Sequence, residues 1–316
     1  MSELRRLIVD TDTGSDDVWA IIESLRATEV VRVEAITVVC GNLPLDLCVK
    51  NALLAQEAAG RAFPPVFRGM ERPLMRRQAF YAKHVHGEDG LGNMNLPAPL
   101  RSAAGAHAID AIISMVMENP GEIEIATCGP LTNLAMALLK EPRLAENVKK
   151  VWILGGSGGG FGNMTPAAEY NVYIDPEAAS IVLNAGMDTV WVNWDASRGD
   201  TEITPEEVGR MEECGDPAAR FCARCTSQLR AYQREAYGRD SFGVIDSILM
   251  TAALYPEIMR NTFRANCAVE TAGRETRGYF RIDHHNWLGL EPNCTVCPAV
   301  DAKLYKQHLF RLLGVQ

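Results

Sequence analysis

The sequence predicts an α/β protein with an open, mostly parallel sheet and helices on both faces. Short apolar runs alternate with longer amphipathic stretches over the first two thirds of the chain. Such alternation implies right-handed crossovers between parallel strands. No internal repeat or proline-rich linker interrupts the 316 residues. We therefore expect one domain over 1–316, with a helical insertion in its C-terminal third.

The expected elements follow from the spacing of the apolar residues. Strands are expected where short runs rich in β-branched residues occur, at 7–9, 33–39, 123–127, 151–154 and 190–192. Helices are expected where apolar residues recur three and four positions apart, at 17–27, 45–59, 103–118, 132–140 and 176–184. Beyond Thr204 the pattern predicts helices at 218–237, 245–255 and near 299–313, with strands at 265–270 and 278–282.

Composition and charge exclude several classes of protein. Hydrophobic residues make up 47% of the chain and charged residues 22%, which is typical of globular proteins. The net charge is −9 and no lysine- or arginine-rich run occurs, so we expect no nucleic acid and no membrane among its partners. No stretch approaches the roughly 18 apolar residues of a membrane span. Nine cysteines, an odd number, favour reduced thiols and a cytoplasmic location.

The loop after the first strand is unusually acidic. Asp10, Asp12, Asp16 and Asp17 fall within eight residues and would repel one another if they met without a cation. Carboxylate oxygens suit a hard divalent ion such as calcium or magnesium. One or two of them could instead cap the helix that begins near Asp17, but capping leaves the others unexplained. An EF-hand is excluded because its twelfth loop position would be Ile21, where a glutamate is required.

Two enzyme families share features of this loop. The run 7–13, Leu-Ile-Val-Asp-Thr-Asp-Thr, resembles the motif of haloacid dehalogenase-type phosphatases, in which Asp10 would be the nucleophile and Asp12 the general acid. The longer run 10–17, Asp-Thr-Asp-Thr-Gly-Ser-Asp-Asp, resembles the N-terminal signature of the nucleoside hydrolases of the inosine-uridine type. Later segments resemble that second family alone, and the likeness extends from about residue 7 to 301: they are Asn42, the His-Gly loop 86–92, 127–133, 162–171, 175–178 and Asp246.

This resemblance implies a Rossmann-like fold and hydrolysis of the N-ribosidic bond of ribonucleosides to free base and ribose, a reaction of purine and pyrimidine salvage. It makes Asp12, Asp17, the main-chain carbonyl of Thr127 and Asp246 the ligands of a calcium ion, with Asp10 behind them. Asp12 would also be the base that activates the calcium-bound water. The resemblance further implies a homodimer or homotetramer.

Substrate binding is likewise implied by the resemblance. The residues assigned to the ribose hydroxyls are Asp16, Asn42, Asn163, Glu169 and Asn171, and His86 is assigned to the loop over the base. Since Glu169 and Asn171 are two positions apart, we expect them on one side of an extended segment.

The leaving-group machinery departs from the family pattern. The residue before the metal-binding aspartate is often histidine or tryptophan in relatives, and here it is Ile245, which can neither donate a proton nor stack on a base. Other leaving-group contacts could be His86, Tyr232, Tyr237 or Cys40, although a small buried hydrophobe also explains Cys40. A nucleoside-binding protein with weak catalysis therefore stays open as an alternative, beside the phosphatase.

Two Cys-x-x-Cys pairs have the spacing of a structural zinc site. They are Cys222 with Cys225 and Cys294 with Cys297. Because residues three apart also share one face of a helix, we expect reduced core thiols instead.

Overall fold

The computed structural model describes residues 4–77, 80–159 and 161–316, so residues 1–3, 78, 79 and 160 of the expected domain lie outside the described residues. The strands are β1 (Arg5–Thr11), β2 (Val31–Val38), β3 (Val66–Arg68), β4 (Ala104–His107), β5 (Ile123–Thr127), β6 (Lys150–Leu154), β7 (Thr189–Val192), β8 (Met259–Arg260), β9 (Phe263–Ala265), β10 (Cys267–Val269), β11 (Phe280–Ile282), β12 (Cys294–Cys297) and β13 (Ala299–Val300). The helices are α1 (Asp17–Arg26), α2 (Leu45–Ala59), α3 (Lys83–His86), α4 (Ala108–Glu118), α5 (Thr132–Lys140), α6 (Leu144–Asn147), α7 (Tyr170–Ile174), α8 (Pro176–Leu183), α9 (Pro205–Glu213), α10 (Pro217–Cys225), α11 (Ser227–Tyr237), α12 (Ile245–Leu254) and α13 (Ala302–Leu313).

Nine strands form one sheet in the order β4-β3-β2-β1-β5-β6-β7-β12-β9. Every neighbouring pair is parallel except β12 and β9, which pair antiparallel at one edge. The chain moves outward from β1 through β2, β3 and β4, and then returns to place β5 on the other side of β1. This reversal is a topological switch point, and the carboxyl ends of β1, β2 and β5 meet there, where open α/β sheets bind ligands.

Helices cover both faces of this sheet. Leu7 and Val9 of β1 pack into one hydrophobic cluster, and Ile8 packs into the other, because successive strand residues point to opposite faces. Helices α1, α2, α10, α12 and α13 contribute to the first cluster, whereas α4, α5 and α8 contribute to the second. Helices α9 to α12 follow one another between β7 and β8 without an intervening strand. The predicted fold class, with its helical insertion, is confirmed.

Several predicted bounds were wrong for local reasons. The predicted helix 103–118 begins only at Ala108, because Ala104–His107 pairs with β3 as the edge strand β4. The predicted helix 218–237 is two helices, since Thr226 interrupts the helical conformation and its hydroxyl donates back to the Cys222 carbonyl at 2.9 Å. The predicted strand 265–270 is divided between β9 and β10.

All nine cysteines are free thiols. Cys222 and Cys225 are buried in α10, and the thiol of Cys225 donates to the Ser15 carbonyl at 3.3 Å. Cys294 of β12 lies beside the thiol of Cys267 rather than near the first pair. Among the described residues, the only group of side chains arranged to bind a metal contains neither Cys-x-x-Cys pair. The expectation of reduced core thiols agrees with this arrangement.

No helix within the described ranges is both long and apolar enough to cross a bilayer.

A buried carboxyl group joins α1 to α12. Glu23 is fully buried, and its Oε2 accepts a hydrogen bond from the Thr251 hydroxyl at 2.6 Å. Its Oε1 has no hydrogen-bond partner among the described atoms. Burial raises the pKa of Glu23 to about 8, because the charged form loses hydration that these contacts do not replace.

We predict that Glu23→Gln stabilises the protein in alkaline solution. Because the folded-state pKa is raised, the folded protein keeps a proton that the unfolded chain loses, and the parent loses stability as the pH rises from about 4.5 to about 8. The loss approaches about 1.4 kcal/mol for each pH unit. Glutamine cannot ionise, so the melting temperature of the variant should exceed that of the parent near pH 9, and the gap should narrow towards pH 5. The exposed Glu206→Gln is the control; a gap independent of pH would contradict the assignment.

Candidate active site

Buried carboxylates converge at the carboxyl edge of the sheet. Asp12 and Asp17 come from the loop after β1, and Asp246 comes from the first turn of α12. Their residues are at most 4% exposed. Asp16 is partly exposed beside them and acts electrostatically on all three. The structure thus brings together acidic residues that are far apart in the sequence and that the family resemblance assigns to one site.

The carboxylate of Asp17 is fixed by three donors. The Thr11 hydroxyl donates to Oδ1 at 2.6 Å, while the Gly14 amide and the Asn42 side-chain amide donate to Oδ2 at 2.8 and 3.2 Å. Asp16 occupies the N-cap of α1 but makes no side-chain capping bond. Helix capping therefore does not account for the acidic residues of this loop.

One carboxylate oxygen of Asp12 is hydrogen-bonded and the other is not. Its Oδ2 accepts a hydrogen bond from the Asn42 amide at 2.7 Å, whereas the buried Oδ1 has no partner among the described atoms. Two glycines flank the carboxylate: a Cβ on Gly41 would collide with Oδ2, and a Cβ on Gly129 would lie 2.8 Å from Oδ1. Any larger residue at either position would displace Asp12.

Asp10 lies behind this cluster. Its Oδ1 accepts hydrogen bonds from the Thr37 hydroxyl at 2.6 Å and the Asn133 side-chain amide at 2.8 Å. The residue is fully buried and does not line the cavity described below. Burial raises its pKa to about 7.

Electrostatics disfavour a cluster of ionised carboxylates without a cation. Burial, followed by the charges of neighbouring aspartates, raises the pKa of Asp12 and of Asp246 well above the usual range and that of Asp17 to about 7. One carboxylate oxygen each from Asp17 and Asp246 and the sulfur of Cys128 lie within 4.8 Å of one another. Thr127, whose carbonyl was expected to be a ligand, is buried at the end of β5, directly before Cys128. This donor set is the candidate metal centre.

A cavity of about 400 Å³ opens above the carboxylates. Predicted residues that line it are Asp16, Asn42, His86, Asn163, Glu169, Asn171, Tyr232, Tyr237, Ile245 and Asp246. Asp12 and Asp17 are not among the lining residues. Cys40 is also buried outside the lining, and burial raises the pKa of its thiol to about 12, so the structure does not place it where a leaving group would lie.

One wall of the cavity is built from helix α7 and its N-cap. Glu169 is the N-cap, and its carboxylate accepts from the amides of Asn171, Val172 and Gly156 at 2.8, 3.2 and 3.0 Å. Asn171 lies inside the helix, so the extended segment expected here was wrong; the capping bonds of Glu169 favour a helical turn instead. Burial raises the pKa of Glu169 to about 7.

The asparagines of this wall are also anchored. Asn171 donates from Nδ2 to the Cys128 carbonyl at 2.6 Å, which ties α7 to the end of β5. Asn163 accepts from the Tyr170 amide at 2.8 Å through Oδ1. Each of these hydrogen bonds uses only one polar atom of the asparagine side chain. Both asparagines also line the cavity.

The opposite wall is aromatic and carries one histidine close to the acidic loop. The Nδ1 atom of His86 lies 2.9 Å from the Ser15 hydroxyl and 3.6 Å from Asp16 Oδ1. Burial lowers the pKa of His86, which favours the neutral imidazole. Tyr232 and Tyr237 lie edge to face, with centroids 5.8 Å apart, and Ile245 is 4% exposed beside them.

Several residues of the site are not among those predicted from the sequence. Ser15 lies inside the acidic run, and Cys128 directly follows Thr127 at the end of a strand; position alone could have drawn attention to both. Arg198, Glu202 and Arg239 line the cavity mouth and come from segments without a recognisable motif. Only the folded chain brings them to the cavity.

Comparison with known proteins agrees with this geometry. The family model described as inosine-uridine preferring nucleoside hydrolase matches residues 7–307. A probable uridine nucleosidase 1 of Oryza sativa subsp. japonica is 36% identical over 91% of this chain and 90% of its own length. The solved plant nucleoside hydrolase PpNRh1 superposes with a TM-score of 0.91 at 32% identity, covering 98% of this chain and 99% of its own. A purine-preferring ribonucleoside hydrolase from Gardnerella vaginalis gives 0.90 at 27% identity, with 98% of both chains covered.

We predict that Gly129→Ala inactivates the site without unfolding the protein. The added Cβ would lie 2.8 Å from Asp12 Oδ1 and must displace the carboxylate, and misplacement of a reacting group by about 1 Å can lower turnover roughly a hundredfold. Sugar release from ribosides measures the rate, and circular dichroism confirms folding. Gly209→Ala is the matched control, because no atom lies within 4 Å of its added Cβ. Unchanged turnover in the Gly129 variant would refute the packing argument.

Proposed function

Because the chain belongs to the family of inosine-uridine preferring nucleoside hydrolases, we propose that it hydrolyses ribonucleosides to free base and ribose, with Asp12 as general base beside a bound calcium ion. One observation carries the proposal: the buried Asp12 Oδ1 has no partner and belongs to the carboxylate cluster beneath a cavity lined by amide and carboxylate side chains.

The residues of the cluster fit a calcium ion. Asp12, Asp17, Asp246 and the carbonyl of Thr127 would hold it, and substrate hydroxyls and water would complete the six to eight oxygen ligands that calcium prefers. A divalent cation would offset the repulsion that otherwise raises the pKa values of these buried carboxylates. When bound, calcium lowers the pKa of a coordinated water molecule and so assists its deprotonation.

Asp12 is proposed as the base because of the asymmetry of its carboxylate. The Asn42 main-chain amide fixes Oδ2, and the absence of side chains at Gly41 and Gly129 leaves the space that the carboxylate occupies. The free Oδ1 is then available to accept a proton from the attacking water. By the family resemblance, attack proceeds with inversion at the sugar carbon.

Ribose binding is proposed for the polar side chains of the cavity, namely Asp16, Asn42, Asn163, Glu169 and Asn171. The anchoring bonds of Glu169 and Asn171 fix these side chains before substrate arrives, so little ordering is required on binding. The carboxylates around the sugar would also stabilise the positive charge that develops on the ribose ring. These residues therefore combine recognition with transition-state stabilisation.

Departure of the base is proposed to take place against His86, Tyr232, Tyr237 and Ile245. Ile245 lines the cavity and offers no proton. The tyrosine hydroxyls lie 3.5 Å apart, and their contact, with burial, raises the pKa of Tyr232 to about 12, which makes it a weak acid. This part of the cavity is therefore suited to stacking on the nucleobase and hydrogen bonding with it more than to strong acid catalysis. The expected homodimer or homotetramer stays a prediction.

The phosphatase alternative is not supported by the geometry. It requires Asp10 as the nucleophile, yet Asp10 Oδ1 accepts hydrogen bonds from Thr37 and Asn133, and the family model that matches residues 7–307 is that of nucleoside hydrolases.

We predict that the purified protein releases reducing sugar from inosine or uridine, that a calcium chelator abolishes the reaction and that added calcium restores it. Asp12→Asn should lower turnover about a hundredfold or more, while substrate affinity changes far less, because an amide can ligate a metal but cannot accept the proton. The exposed Asp46→Asn is the control. Near-parental turnover of Asp12→Asn would remove Asp12 as the base. Riboside binding without any product would instead select the binding-protein alternative.

Ile245 gives a second prediction, which concerns the departure of the nucleobase. The parent should cleave nitrophenyl riboside, whose leaving group departs without protonation, faster than inosine or uridine. Ile245→His should raise cleavage of the natural nucleosides more than that of nitrophenyl riboside, by up to about a hundredfold if the imidazole is well placed. Ile245→Leu, which adds no donor, is the control. If the parent cleaves both kinds of substrate equally well, another group already protonates the base.

A further inference from the structure

We propose that Cys128 makes the metal centre a mixed oxygen and sulfur site, which binds thiophilic divalent ions such as cadmium or zinc in competition with calcium. This inference rests on the proposed calcium centre and extends it to a residue that neither the motifs nor the resemblance singled out.

The thiol is fixed in place by its own backbone. Cys128 directly follows β5 and is 2% exposed. Its amide donates to the Asp10 carbonyl at 2.7 Å, and its carbonyl accepts from Asn171 Nδ2 at 2.6 Å. The sulfur and one carboxylate oxygen each from Asp17 and Asp246 lie within 4.8 Å of one another. One ion could touch all three atoms after small side-chain rotations.

Two other thiols near the site donate hydrogen bonds to backbone carbonyls. Cys48 Sγ donates to the Asp12 carbonyl at 3.0 Å, and Cys225 Sγ donates to the Ser15 carbonyl at 3.3 Å. Among contacts between described residues, Cys128 Sγ makes no hydrogen bond. A cysteine that only filled space would normally face apolar atoms, whereas this sulfur faces two carboxylates.

A second, independent observation marks the same place as a ligand site. Asp12 is 1% exposed, and its Oδ1 is without a partner. This oxygen lies on the side of Gly129, the residue after Cys128, because a Cβ on Gly129 would approach it to 2.8 Å. An unpaired buried carboxylate oxygen is costly unless a cation or donor compensates it. An unpaired buried carboxylate oxygen thus lies beside Gly129, adjacent in the chain to the thiol that approaches Asp17 and Asp246.

The donor set suits two kinds of ion. Calcium is hard and prefers oxygen ligands, so it would use the carboxylates and leave the thiol aside. Zinc and cadmium accept fewer ligands and favour thiolate sulfur together with carboxylate oxygen. On binding, the sulfur–hydrogen bond is exchanged for a sulfur–metal bond, and the proton leaves to solvent. An ion held in this way would displace calcium and block its chemistry.

The direct test is a cadmium titration of the metal-free full-length protein, followed by the ultraviolet sulfur-to-cadmium charge-transfer absorption. The parent should show a band that saturates at one equivalent and weakens when calcium is added. Cys128→Ser and Cys128→Ala should lose the band, whereas Cys214→Ser, a partly exposed thiol away from the cavity, should keep it. A band that survives both Cys128 substitutions, or no band in a parent that binds calcium, would overturn the inference.

Calorimetry separates this inference from the proposed function. Cadmium affinity should fall about tenfold or more from the parent to Cys128→Ser, and calcium affinity should fall much less, because calcium prefers the oxygen ligands that the variant keeps. A parent that binds no calcium contradicts the proposed calcium centre, yet a cadmium band that depends on Cys128 would still support the mixed site. Cys128→Ala carries the same test if the serine hydroxyl disturbs folding, which thermal unfolding measures.

Discussion

The structure depends on how the electrostatic repulsion among its clustered, buried carboxylates is compensated. Asp12, Asp17 and Asp246 are almost fully shielded from water, and burial together with their mutual charge works against ionisation. Such an arrangement is tolerable only with a compensating cation or with protons retained on the carboxyl groups. In a nucleoside hydrolase a bound metal ion would offset this repulsion, and water and substrate hydroxyls would complete the coordination of that ion. The cavity, the helix caps and the surrounding amides all lie around that one point.

Precision in the site comes mostly from the backbone. The amides of Gly14 and Asn42 orient two of the carboxylates, and Gly41 and Gly129 leave room for the carboxylate of Asp12. On the wall formed by α7, three amides orient Glu169. Groups held in this way need little reorganisation when charge develops in the transition state. The loops after β1, β2 and β5, which hold these groups, are short.

The fold could be predicted from the sequence, because alternating apolar runs indicate a buried parallel sheet, and the same pattern put the acidic loop directly after the first strand. The roles of the cavity residues came from the family resemblance and stay predictions. The predictions that were wrong concern local structure. Thr226 breaks a helix through its own hydroxyl, and Glu169 turns an apparently extended segment into a capped helix. Cys128 and Arg198 escaped attention because their importance depends on neighbours that are distant in the chain. Cys40 follows a strand as expected, yet it points into the core instead of the cavity.

Asp246 belongs to the helical insertion, whereas Asp12 and Asp17 belong to the first loop of the chain. The centre is therefore incomplete until the helical insertion has docked against α1, and a nascent or truncated chain would lack one of its anchoring carboxylates. An ion that binds only the finished centre stabilises the native state by mass action. Assembly of the two ends of the polypeptide and acquisition of the metal are thus thermodynamically linked, and the availability of the ion would influence how long the folded protein survives proteolysis.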